Sequence, residues 1–485
     1  MTHPLRARAS LRRPLLAGAA LALVALSAWF ASTLHHALLD PVASKLIVDR
    51  RGRYLGEVPG ADGELGFWPP AAALPEKMVR ATLETEDRFF FSHAGVRPQS
   101  LARAAGQNMV NREVISGAST VAMQVARMQT PGRRSLLRKL REMAEALLLV
   151  REHGHDRVLR QYLRLAPYGN NVRGAGRAAR LYFDKPVEDL SWLQAAFLAG
   201  LPQAPGRMNP YEPAGLARAT RRARRILHTL HARGAITAED LRQALASDLR
   251  LVPRPHRDPS ALHAVLAWAE RLEGRPAPTS TATLDVDVQT TVTRILNDNL
   301  DRLGDVSAGN TSAMVVDLAT GDVLAYVGSR DYFAKETRGA IDFVQVKRSP
   351  GSALKPFVYA LALERGRYTA ASELPDTPLE IPAGYGRAYL PENINHTFQG
   401  PMLLREALAN SRNIPALEVL ADVGIEPTLA LLERGGVRGI SFEPGRYGLG
   451  LAIGALPVTL EELTGLYGAL ARQGESLPFR RFVDE

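Results

Sequence analysis

The chain begins with a sharp change in pattern: Arg6, Arg8, Arg12 and Arg13 precede an uncharged run from Pro14 to His35 rich in Leu, Ala and Val. Its length is close to the ~20 residues that cross a bilayer as a helix, with the basic residues on the cytoplasmic side. The pattern predicts a basic tail over 1–13, an uncleaved transmembrane anchor over 14–35 and the bulk of the protein outside the cytoplasm. A cleaved leader is disfavoured, because the run is long for one and Trp29 spoils the small-x-small pattern before Ala31.

Short strand-like runs follow from Leu46 to Trp68, turning at Pro59-Gly60-Ala61-Asp62-Gly63, and Pro69, Pro70 and Pro75 then interrupt the chain. From Glu76 to Trp192 apolar residues recur at helical spacing, as in Met143, Ala146, Leu147 and Val150, and Ala195, Phe197, Leu198 and Leu201 continue it. The pattern predicts a mainly α domain over 46–215, its last helix ended by Pro202 and Pro205. A basic helical stretch, Arg218 to Arg233, is read as a solvated face. Val252-Pro253-Arg254-Pro255 and Arg275-Pro276-Ala277-Pro278 look like a hinge, so 216–280 is expected to be a helical, proline-rich linker. The remainder, 281–485, reads as mixed α/β. Ala313–Asp317 and Val323–Val327 form a hairpin pattern around Ala319-Thr320-Gly321-Asp322, and helices are expected near Lys355–Leu363, Leu403–Ala409 and Thr459–Leu470.

Composition narrows the function classes. At 485 residues, 46% hydrophobic and 23% charged, the protein is multidomain and globular. A net charge of +10 suits anionic partners such as phospholipid headgroups or a pyrophosphate. Nucleic acid is not expected, because none of its usual binding signatures occurs. Without cysteine there are no disulfides, thiolate metal sites or cysteine nucleophiles.

Two sets of residues carry chemistry. In the first half, Glu86 and Asp87 end a helical run ahead of Phe89, His93 and Gly95; Gly117-Ala118-Ser119-Thr120 offers small residues and hydroxyls, with Gln124 a turn later. Arg138, Lys139 and Glu142 lie at helical spacing, with Lys139 and Glu142 on one face. In the second half, Ser352 stands at an expected helix start with Lys355 one turn on, where the helix N-terminus favours a developing oxyanion; Ser411-Arg412-Asn413 follows.

The first set resembles the family-51 glycosyltransferase domain of class A penicillin-binding proteins, a lysozyme-like fold that polymerises lipid II. The family patterns Glu-Asp-x-x-Phe-x-x-His-x-Gly, Gly-Gly-Ser-Thr and Arg-Lys-x-x-Glu fall in order on Glu86–Gly95, Gly117–Thr120 and Arg138–Glu142. The resemblance implies that Glu86 is the general base toward the acceptor hydroxyl and that Glu142 belongs to the catalytic set. It implies substrate binding by Asp87, His93, Ser119, Thr120, Gln124, Arg138 and Lys139, with inversion at the sugar carbon. No cofactor is required and no metal-ligand set is assigned; Mg2+ or Mn2+ at the lipid pyrophosphate is left open. Ala118 replaces the pattern's second glycine. Arg164 and Arg173 stand where many members carry asparagine and glutamate, which puts the seating of the glycan in question.

The second set resembles the penicillin-binding transpeptidase domain, a serine β-lactamase-like α/β fold. The resemblance implies Ser352 as nucleophile on a D-alanyl-D-alanine stem peptide and Lys355 as its activating base. Ser411 and Asn413 serve as relay and positioning pair, and β-lactams are inhibitors. Tyr447–Gly454 also fits, and the order of motifs points to the 1C subgroup. No Lys-Thr-Gly box follows Asn413, so the domain is expected to be partial, truncated at its C-terminal end, and impaired in acyl transfer. The whole then reads as a single-pass protein of the cytoplasmic (inner) membrane with periplasmic domains. Its expected partners are lipid II, nascent glycan strands, the membrane and other cell-wall synthesis proteins. The alternatives are a strand-cleaving lytic hydrolase, against which the Arg138-Lys139 pair argues, and a non-catalytic scaffold for wall enzymes.

Overall fold

The structure, a computed structural model, describes residues 32, 34, 36–60, 63–69, 73–99, 119–133, 135–254, 259–275, 277–303, 308–382, 388–443 and 445–485. The expected anchor over 14–35 lies outside them apart from Ser32 and Leu34, as do Gly117 and Ala118. Among the described residues no helix is long and apolar enough to cross a membrane. By internal contacts the protein divides into two units, residues 1–45 with 57–255, and residues 46–56 with 256–485.

The first unit is mainly helical, as its apolar spacing predicts. Its described helices are α1 (Glu76–Glu86), α2 (Val121–Gln129), α3 (Leu136–Leu165), α4 (Ala175–Phe183), α5 (Trp192–Gly200), α6 (Pro213–Ala232) and α7 (Ala238–Ala246). Apolar α5 is buried on nearly every side, and α1, α6 and α7 pack around it. Helix α3 is interrupted at Gly154, which takes φ 75° and ψ 164°, outside the helical region. On either side of that break His153 bonds the carbonyl of His36 and His155 that of His93. Of the apolar residues read along α3, Ala146 and Val150 enter the core, whereas Leu147 is exposed.

Two expectations about boundaries are redrawn. The prolines after Gly200 do end α5 in a 3-10 turn over Leu201–Gln203, but the unit continues beyond them. Ala219, Ala223, Ile226, Leu227 and Leu230 of α6 and Ala244 of α7 belong to its core. The stretch read as a linker is therefore packed structure in its first part, with Arg221, Arg224 and Arg225 on its solvent face. At the other end, Leu46, Ile47 and Val48 run parallel to Thr279, Ser280 and Thr281, so segment 46–56 belongs to the second unit.

The second unit is α/β. Ala313–Val316 and Val323–Val327 pair antiparallel with a bulge at Val315/Val316, and Glu373–Asp376 pairs antiparallel with Gly400–Leu403. Its helices are α8 (Leu262–Ala267), α9 (Val286–Arg302), α10 (Lys355–Glu364), α11 (Leu404–Ala409), α12 (Asn413–Val423), α13 (Ile425–Arg434) and α14 (Leu460–Ala471). The three helices expected from the sequence are α10, α11 and α14; α14 starts in a capping box between Thr459 and Glu462. Helices α10, α12 and α13 supply much of the core, including Phe357, Val358, Leu417, Leu420 and Leu432.

Candidate active sites

In the first unit, Glu86 is the last residue of α1, partly open to solvent, and Gln124 Nε2 donates to its Oε2 at 2.8 Å. Asp87 does different work. It is buried, its Oδ2 accepts the backbone N–H of Val121 at 3.0 Å at the start of α2, and His93 Nε2 lies 3.1 Å from both its oxygens. Thr120 caps the same helix through the N–H of Met123 and donates to the carbonyl of Gly95 at 2.6 Å. Asp87, His93 and Thr120 thus tie the loop after Glu86 to the N-terminus of α2, which carries Gln124. Three residues expected to bind substrate have their polar atoms engaged in holding the general-base candidate in place.

The remaining members converge on the start of α3. Lys139 Nζ donates to Ser119 Oγ at 2.6 Å and lies 3.6 Å from Glu142, which is 3.6 Å from Arg138 as well. Glu142 is buried, and Arg138 keeps a buried Nη2 without a partner among the described residues. Burial lowers the pKa of Lys139; Glu142 opposes this, and the positive charge of Arg127 adds to it. Arg138 and Lys139 therefore share one carboxylate with a third cation, Arg127, nearby, an arrangement with unsatisfied attraction for an anion.

Four residues to which the sequence reading gave no role at this site complete the region. The hydroxyls of Tyr162 and Tyr168 are fully buried without partners among the described residues, and burial followed by the charge of Glu86 raises both pKa values. Arg222 of α6, lowered chiefly by burial, also feels Glu86. Arg127 acts on Lys139 and on Tyr162, which also feels Glu86, so Tyr162 is electrostatically linked to both the carboxylate and the cations. Arg127 follows Gln124 by three positions, a spacing that could have flagged it. Tyr162 and Tyr168 lie in a further stretch, Tyr162–Asn171, that resembles the family, but their spacing alone reads as ordinary core and gives their hydroxyls no role.

The two departures from the family pattern have structural partners. Arg164 donates to the carbonyls of Phe67 at 2.9 Å and Pro41 at 2.8 Å and pairs with Asp40. Arg173 makes a two-pronged bridge to Glu64 at 2.9 and 2.8 Å. Glu142 already pairs with Arg138 and Lys139. Among the described residues no group of three His, Cys, Asp or Glu side chains is placed to hold a metal.

In the second unit Ser352 lies exposed in a 3-10 turn, Gly351–Leu354, and the α-helix proper begins at Lys355. That turn rests on a close backbone approach: Ser349 Oγ donates to the carbonyl of Gly454 at 2.7 Å. A Cβ on Gly454 would lie 2.3 Å from the nitrogen of Gly351. Lys355 is 1% exposed, and its ammonium bonds the Ser411 carbonyl at 2.6 Å, Asn413 Oδ1 at 2.7 Å and Ser411 Oγ at 3.3 Å. Burial, then the positive charge of Arg412, brings its pKa down to about 8. The structure brings Lys355, Ser411 and Asn413 together as expected, with an amine that gives up its proton more readily than an exposed lysine's.

Comparison with known proteins agrees with this division. Residues 51–231 match the transglycosylase family model, and residues 311–481 match the penicillin binding protein transpeptidase domain. The sequence is 32% identical to penicillin-binding protein 1C of Escherichia coli over 96% of its own length and 59% of that protein's. It is 29% identical to penicillin-binding protein 1B of Vibrio cholerae, with 83% of its own length and 53% of the relative's aligned. Against penicillin-binding protein 1A of Pseudomonas aeruginosa it is 26% identical, with 83% and 62% covered. It spans a little over half the length of these relatives.

Proposed function

Because the chain belongs to the class A penicillin-binding proteins, we propose that it synthesises peptidoglycan, with polymerisation of lipid II by its first unit as the primary activity. The observations that carry this reading are Glu86, steadied by Gln124, and the Arg138–Lys139–Glu142 cluster, linked by Arg127, whose charge reaches Lys139 and also the Tyr162 that feels Glu86. Glu86 takes the proton of the acceptor sugar's 4-hydroxyl as that oxygen attacks the donor's anomeric carbon. The bond from this carbon to the lipid pyrophosphate breaks, and inversion follows from the single displacement. The leaving group is already a stable anion, so it needs cations rather than a proton donor. Lys139, Arg138 and the nearby Arg127 supply them.

The second unit is read as a D,D-transpeptidase. The observation favouring it is the depressed, triply bonded Lys355 beside Ser411 and Asn413. Ser352 Oγ gives its proton toward this amine and attacks the penultimate D-alanyl carbonyl. The terminal D-alanine leaves, and an amine of a neighbouring stem peptide then takes the acyl group. The same serine is the expected target of β-lactams. The uncharged run over 14–35 supports a single-pass anchor in the cytoplasmic membrane with both units on its outer side.

Polymerisation of labelled lipid II by the purified, detergent-solubilised protein tests the primary reading, with Glu86→Gln as control. Long glycan products that vanish in the variant are expected. Shortened strands from preformed glycan would mark a lytic hydrolase instead, and no change in glycan of either kind would leave the scaffold reading.

A further inference from the structure

Resting on the acyl-transfer reading of the second unit, we propose that the buried pair of Asp376 with Arg412, the middle residue of the Ser411-Arg412-Asn413 signature, is a positioning element that sets the geometry and charge environment of Lys355. All three bonds from Lys355 go to the short turn 411–413, which begins with Ser411 at φ 51°, a left-handed conformation unusual for a residue with a side chain. Backbone bonds from Ser411 to Leu408 and from Arg412 to Ala407 close the turn locally. What fixes its orientation is Arg412, 5% exposed, whose Nε and Nη2 donate to Asp376 Oδ2 at 2.9 and 2.6 Å. Its Nη1 donates to Asn395 Oδ1 at 3.2 Å, and Nη2 also bonds the carbonyl of Thr397.

Asp376 is fully buried and holds the other side of the turn too. Its Oδ1 accepts from Asn393 Nδ2 at 2.8 Å, and Asn393 Oδ1 accepts the backbone N–H of Asn413 at 2.8 Å. One carboxylate at the end of strand Glu373–Asp376 therefore pins the turn through Arg412 and, by way of Asn393, through Asn413. A neutral anchor could do the same mechanical work. A buried guanidinium close enough to repel Lys355 does something more, since it favours the free amine that a base must present. Asp376, paired with Arg412, is placed to temper that repulsion. The charged group that acts on Lys355 is Arg412 on the turn; Arg412 pairs with Asp376 on its strand, and Asp376 in turn faces Tyr359 of α10, which is raised by burial and then by that carboxylate.

The pair's charges make opposite demands, which separates this role from a merely structural one. The reactivity of Lys355 toward an amine-modifying reagent, followed by peptide mass spectrometry across pH in the full-length protein, gives its titration midpoint. Removing the cation in Arg412→Met moves the midpoint up by about one pH unit. Removing the anion in Asp376→Asn moves it down. Arg412→Lys keeps the charge but not the fork, so it leaves the midpoint in place while slowing acylation of Ser352 by a fluorescent penicillin about tenfold. Should Asp376→Asn fail to fold, the two Arg412 variants still decide. A midpoint unmoved in folded Arg412→Met overturns the proposal. Absence of penicillin labelling in the unsubstituted protein would sink the acyl-transfer reading alone, and the direction of the lysine midpoints would still uphold or overturn the role of the pair.

Discussion

Gln124 Nε2 donates to Glu86 Oε2 at 2.8 Å, joining the last residue of α1 to the second turn of α2 across 38 positions of sequence. The bond leaves the other carboxylate oxygen for a proton acceptor's work. Gln124→Ala should keep the fold and lower the polymerisation rate about tenfold, because the base loses its orientation but not its charge. Glu86→Gln should leave no measurable polymer. A Gln124→Ala enzyme with unchanged turnover on labelled lipid II would show that the bond has no part in orienting the base.

Asp87 stands beside Glu86 in sequence but acts on the fold. Its bonds to the Val121 N–H and to His93 are charge-assisted and buried, so Asp87→Ala should destabilise the first unit by about 3 kcal/mol. Thermal unfolding should show this before any assay does. Asp87→Ala with wild-type stability and lost substrate affinity would restore the substrate-binding role expected from the motif.

How far the sequence reached can be judged from these two neighbours. Their presence at the end of a helix was legible, because apolar spacing locates α1 and the acidic pair marks its C-terminus. Their division of labour was not, because it depends on a partner 34 residues away, Val121. The hairpin of the second unit and helices α10, α11 and α14 were legible for the same local reasons. Placement of 46–56 with Thr279–Thr281 was not, since parallel pairing at long separation leaves no periodic trace. Arg412 sat in plain view as the middle of a three-residue signature. Only burial against Asp376 gives it a role.

Lys139 offers a test by pH. Burial and Arg127 hold its pKa below the ordinary lysine value, so its positive charge is lost at lower pH than an exposed lysine's. Polymerisation, if it needs that charge on the leaving pyrophosphate, should fall on the alkaline side with a midpoint below that of a free lysine. Arg127→Met removes a repelling charge and should move this limb to higher pH. The pH profile of kcat/KM on lipid II reads both shifts. A limb that stays fixed in Arg127→Met would separate Lys139 from the reaction.

Arg164 and Arg173 should prove to be structural substitutions. Arg173 and Glu64 are each 30% exposed, so breaking their bridge with Arg173→Met should cost about 0.5 kcal/mol. Arg164 is 14% exposed and serves two carbonyls and Asp40; Arg164→Ala should cost about 2 kcal/mol. Turnover per folded molecule should change less than about threefold in either variant. A large fall in turnover at full stability would instead assign the arginine to the glycan.

Gly454 gives the second unit its most direct steric test. It has φ 100°, and an added Cβ would stand 2.3 Å from the backbone nitrogen of Gly351, one residue before Ser352. The obstacle is backbone, which cannot rotate away as a side-chain tip can. Gly454→Ala must therefore push the Gly351–Leu354 turn outward or distort its own backbone, at a cost of about 3 kcal/mol. Displacement would carry Ser352 away from Lys355, whose position is fixed independently by Ser411 and Asn413. Penicillin labelling at Ser352 should fall more steeply than the folded fraction in this variant. Labelling that tracks the folded fraction would mean that the turn absorbs the methyl group without moving the serine.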